Sequence, residues 1–119
     1  MNQFEKAKEM ARIAYHALDD KKGEDISIID ISDVSVMADF FIIAHGSNEL
    51  QIRALVESVE EALEKNEFVR KQKEGNHHVG WVLLDFGDII IHIFDKENRL
   101  FYDLERIWRD GKTVKIDQL

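Results

Sequence analysis

The tightest constraint on the fold lies at residues 81–94, WVLLDFGDIIIHIF. Two apolar, β-branched and aromatic runs, Trp81–Phe86 and Asp88–Phe94, abut at Gly87, and so short a link joins only antiparallel neighbours in a sheet. With Gly87 and Asp88 as the central pair of the turn, glycine stands first, where a type II′ turn needs positive φ. Alternation then divides the hairpin into two faces. Val82, Leu84, Phe86, Ile89, Ile91 and Ile93 form one, wholly apolar and therefore the core side. Trp81, Leu83, Asp85, Ile90, His92 and Phe94 form the other, where an acid and an imidazole among rings argue against complete cover by a helix.

The rest of the chain supplies elements to pack on that hairpin. Phe4, Ala7, Ala11, Ala14 and Leu18 recur at helical spacing and predict a first helix ending near Lys22-Gly23, with glycine as its cap. Ile26–Ile31 reads as a strand, and the near-continuous apolar run Asp39–His45 as a central strand covered on both faces. Gly46 ends it, and Ser47 or Asn48 caps a second helix with Gln51 completing a capping box. That helix buries Ile52, Leu55, Val56, Val59 and Leu63, and its acidic face offers the pairs Glu49–Arg53 and Glu61–Lys65. Glu67–Lys73 is a polar edge-strand candidate, followed by a loop through His77 and His78. Asp95–Trp108 predicts one continuous helix with Leu100, Phe101, Leu104, Ile107 and Trp108 on its buried side. The expected fold is α/β in the α+β sense, one domain over residues 1–119, with a single mixed sheet of about five strands and helices packed on it.

Several chemistries are tested by these residues. Asp85-Phe86-Gly87 is the order in which protein kinases hold magnesium, but the glycine-rich loop, lysine strand and catalytic loop of a kinase are missing. Gly46-Ser47 between a buried strand and a helix is similar to the phosphate-holding Gly-Ser element of nucleotidyltransferases. Their paired carboxylates two apart on a neighbouring strand, needed to hold metal ions, are absent from the strand candidates. The histidines are isolated or, at His77-His78, adjacent and loop-borne, so no closed metal site is expected and no cofactor is implied. Asp85 and His92 form a diagonal cross-strand pair with no Ser or Cys nucleophile beside them, which suits recognition better than catalysis.

Composition narrows the partners. With no cysteine there are no disulfides or thiolate ligands. The charged N-terminal segment reads as neither a signal peptide nor a membrane span, so a cytoplasmic location without membrane attachment is expected. Sixteen Lys and Arg against 24 Asp and Glu leave a net charge of −8, which repels nucleic-acid phosphates; by composition alone such a charge serves solubility, and a macromolecular partner, where there is one, is expected to be a basic protein.

Three stretches taken together, DISDVSVMADFFIIAHGSN (30–48), GWVLLDFGDIIIHIF (80–94) and FYDLERIW (101–108), resemble the Iojap family, the ribosomal silencing factors. The resemblance implies a nucleotidyltransferase-like topology without the catalytic acids, and no enzymatic activity. It also implies binding to a basic protein of the large ribosomal subunit, the one numbered fourteen, which sterically blocks subunit joining and lowers translation under nutrient limitation. Carried over residue by residue, it puts the partner surface at Trp81, Leu83, Asp85, His92, Phe94 and Tyr102. His45 departs from the family block, where a small or hydroxyl residue is expected. Homodimerisation follows if the mixed face pairs with itself. The competing readings are a nucleotidyltransferase-like nucleotide-binding protein centred on Gly46 and Ser47, and an assembly factor of the large subunit.

Overall fold

In the computed structural model, which describes residues 2–119, the chain runs α1 (Gln3–Asp20), β1 (Glu24–Asp30), β2 (Phe40–Gly46), α2 (Glu49–Lys65), β3 (Gln72–Asn76), β4 (Trp81–Asp85) and β5 (Ile89–Asp95). It ends with α3 (Lys96–Tyr102), α4 (Leu104–Ile107), β6 (Lys112–Val114) and a 3-10 turn at Ile116–Gln118. The strands form one mixed sheet in the order β3-β4-β5-β2-β1-β6. All neighbours are antiparallel except β2 and β5, whose parallel register requires the long connection through α2.

The β4–β5 hairpin divides its side chains as alternation requires. Val82, Leu84, Phe86, Ile89, Ile91 and Ile93 join Ile28, Phe40, Ile42 and Ala44 in the main core beneath α1 and α2. Helix α2 contributes Ile52, Leu55, Val56, Val59 and Leu63, the stripe its spacing predicts. Every residue of β2 is buried, in keeping with its continuous apolar run. Pairing of Trp81 with Phe94 and of Asp85 with Ile90 sets the register, and Gly87, at φ 89°, makes the turn.

The structure corrects the sequence reading at several places. The sheet of about five strands counts six, the sixth being a short strand in the tail, Lys112–Val114, which pairs with β1. The edge strand is Gln72–Asn76, displaced from Glu67–Lys73, since Glu67 takes a left-handed φ of 69° to end the α2 turn and the chain must then reach β4. Helix α1 closes in a Schellman arrangement: Lys22 N–H donates to Asp19 O and Gly23 N–H to Leu18 O, and the left-handed residue is Lys22 (φ 61°), not Gly23. On α2, Arg53 pairs with Glu57 rather than Glu49, and Glu61–Lys65 is not among the ion pairs of the described residues. The predicted helix over 95–108 is broken at Asp103, which sits at φ 46° and ψ 54° and donates its N–H to Arg99 O.

That break sets what covers the second sheet face. A straight helix of fourteen residues would run ~21 Å in one direction. The bend instead lets Leu104 and Trp108 return to the sheet against Ile29, Ile31, Phe41, Ile43 and Ile90, with Trp108 edge-on to Phe41 at 5.0 Å. As a consequence Leu100, Phe101 and Ile107 turn outward and are exposed, against the expectation that they are buried.

Candidate functional site

The second face carries a connected series of rings. Tyr102 lies over Trp81 at 4.7 Å between centroids, Trp81 stacks on Phe94 at 5.6 Å, Phe94 on His92 at 6.0 Å, and His92 meets Phe41 edge-on at 5.1 Å. The positions of Trp81, His92 and Phe94 follow from the hairpin register, which places Trp81, Leu83 and Asp85 opposite Phe94, His92 and Ile90. Helix α3 is anchored above them by Asp95, whose Oδ1 accepts from Asn98 N at 2.7 Å, while Asn98 Nδ2 donates to Val79 O at 3.0 Å. Gly80 makes that closeness feasible. At φ 76°, a Cβ there would stand 2.0 Å from Asp95 Oδ2.

The six residues proposed from sequence come together but do not share one role. Tyr102 is 38% exposed, and Trp81, Leu83 and Asp85 are half-buried. His92 and Phe94, at 5% and 1% exposed, are sealed within the molecule beneath the other four. Trp81 Nε1–H donates to His92 Nδ1 at 3.2 Å, which leaves the imidazole proton on Nε2, a buried atom with no partner among the described residues. Burial holds His92 neutral, its pKa lowered to about 4. Asp85 does not meet His92: its Oδ1 accepts from Gly87 N at 2.8 Å and braces the hairpin turn.

Sequence reasoning missed the most exposed rings and side chains here. Phe101 is 78% exposed and packs edge-on to Tyr102 at 5.1 Å, and Ile107 is 65% exposed beside them. The only local signal for this is Asp103, a residue type that tolerates the left-handed conformation.

A polar network fixes α3 at the end of the sheet. Arg99 donates from Nε to Glu105 at 3.1 Å and from Nη1 to Glu24 O at 3.3 Å, and its Nη1 lies 3.0 Å from His45 Nδ1. His45 Nε2 in turn faces Glu24 at 3.4 Å. Burial, then the adjacent guanidinium, pushes the His45 pKa below the ordinary imidazole range. His45 is thus a strut between β2 and α3. Near the start of β2, burial and then the charges of Asp88 and Asp30 push the Asp39 carboxyl up.

The Gly46-Ser47 element is already engaged. Ser47 N–H and Oγ–H both donate to Gln51 Oε1, at 2.6 and 2.9 Å, and Gln51 N–H donates to Asn48 Oδ1 at 2.8 Å. A phosphate at this helix start would have to displace the chain's own cap.

Fold and site together define a class: an α/β protein with one mixed sheet, two long helices on one face and a broken helix holding an aromatic surface on the other. Among the described residues no helix is long and apolar enough to cross a membrane. The family described as ribosomal silencing factor during starvation matches residues 4–119, and the chain belongs to it. It is 37% identical over 117 residues to the ribosomal silencing factor of Bacillus subtilis, covering 98% of this chain and 96% of that one. Identity to the Halalkalibacterium halodurans factor is 36% over 109 residues, 92% and 93% of the two chains. Chloroplast proteins named Iojap match as well. A crystal structure of a Chromobacterium violaceum protein superposes with a TM-score of 0.84 at 31% identity, covering 97% of this chain and 92% of that one.

Proposed function

We infer that the protein represses translation by docking, through the surface around Trp81 and Tyr102, on a basic protein of the large ribosomal subunit, the one numbered fourteen, and standing where the small subunit would join. The carrying observation is the exposed apolar ledge of Tyr102, Phe101 and Ile107, with Tyr102 lying over half-buried Trp81. Large rings on a rigid backing are what a binding hot spot needs, because little side-chain entropy is lost when they are covered. His92 and Phe94 serve as that backing, and Leu83 and Asp85 extend the contact along the hairpin. A silencing patch of roughly 800 Å² needs no nucleophile, metal or cofactor. With extents of 37 × 32 × 26 Å, the molecule is bulky enough to obstruct an interface it stands beside.

Co-sedimentation with isolated large subunits tests this reading. Tyr102→Ala and Phe101→Ala should each weaken association by about tenfold or more, with circular dichroism unchanged. Full binding by both folded variants would move the docking surface elsewhere. A subunit-joining assay should show the same ranking of variants, since obstruction follows occupancy.

A further inference from the structure

We propose that Glu49, His77 and His78 form a binding site for a zinc-class divalent cation where the β3–β4 turn meets the start of α2. One ligand atom from each of the three lies within 4.8 Å of the others. Consecutive side chains on extended backbone point to opposite sides, but this pair does not. Asn76 Oδ1 accepts from both His78 N and Val79 N, at 2.8 and 3.1 Å, and curls the turn until the two imidazole centroids are 4.1 Å apart.

The third ligand comes from far along the chain. Glu49 is the first residue of α2, held there by the Asn48 cap, and its Oε2 lies 3.0 Å from His78 Nδ1 across 29 residues of sequence. A tetrahedral ion with ligands at about 2.0–2.2 Å needs donor atoms about 3.3 Å apart. The Glu49 and His78 side chains are 57% and 70% exposed, so rotation about their own bonds closes that gap without moving backbone. Two imidazoles and one carboxylate suit zinc and its first-row neighbours, whereas magnesium and calcium prefer oxygen throughout. Three protein ligands leave a fourth position open to water or to a group from a partner. His77 and His78 lie in the turn that leads into β4, so a cation here clamps the edge hairpin to α2.

A plain Glu49–His78 ion pair would explain two of the three residues and needs no metal; His77 discriminates. Zinc titrated into the full chain by calorimetry should give a saturable one-to-one isotherm and a rise in Tm, with no comparable response to magnesium. His77→Ala, His78→Ala and Glu49→Gln should each lower zinc affinity by about tenfold or more, and His16→Ala should leave it unchanged. Absence of zinc binding, binding unaltered in His77→Ala, an equal loss in His16→Ala, or an equal response to magnesium would each overturn the site. All four positions are on the surface, and the circular dichroism of each variant confirms that the fold is retained.

Discussion

At the residue scale, two side chains couple stability to a single local feature: the backbone conformation of Lys22 and the burial of His92. Lys22 occupies the left-handed region at the end of α1, where a Cβ costs about 1 kcal/mol or more and glycine costs nothing steric. Lys22→Gly should therefore raise stability by up to about 1 kcal/mol, read as a higher urea midpoint with an unchanged slope. A drop would mean that the lysine side chain has a role of its own. His92 is sealed neutral, with its pKa at about 4 against the ordinary 6.5. The unfolded chain takes up that proton more readily, so stability is full above pH 6.5 and is lost as pH falls toward 4, by about 3 kcal/mol in all. In His92→Leu this part of the pH dependence should disappear from thermal melts recorded between pH 7 and 4. The residue's burial could be anticipated only in part from sequence: alternation gave its face correctly, but that face is closed at His92 and open at Tyr102, which depends on where α3 lands.

At the scale of elements, the hairpin and α2 were legible because their patterns are local and uninterrupted. A two-residue turn fixes register, and register fixes which side chains share a face. The 95–108 segment departs from its pattern for the complementary reason. Its apolar spacing is helical throughout, yet the chain breaks at Asp103 and Trp108 packs on Phe41, a contact with a residue far along the chain that is invisible without the sheet. The junction of β4 with α3 depends on Gly80, which admits Asp95 and Asn98 against the backbone. Gly80→Ala should cost at least about 2 kcal/mol and release Tyr102 from Trp81. Faster amide exchange at residues 96–102 than in α2 would confirm it, and a variant with native exchange there would refute the role given to this glycine.

For the whole molecule, charge and shape act together. A surface with net charge −8 approaches a cationic partner down a favourable field, and salt screens that field within a Debye length of about 8–10 Å. Under the docking proposed above, the association rate with large subunits should fall steeply between 50 and about 500 mM salt, far more than the dissociation rate rises; a flat rate would mean that apolar contact alone guides docking. Exposed Phe101 and Ile107 can also meet a second copy. Light scattering should then show a mass that climbs above 13.9 kDa with concentration, and Phe101→Asp should hold it at the monomer value. Sequence alone determined the hairpin, its two faces, the buried β2, the stripe of α2 and the sign of the surface charge, because each is written in neighbouring residues or in a simple sum. Only the tertiary structure decided which rings on the second face meet solvent, that Gln51 occupies the Ser47 donors, and that Glu49 meets His78. Those outcomes hang on the placement of α2 and α3 against residues distant in the chain, and contacts across such gaps leave no periodicity to read.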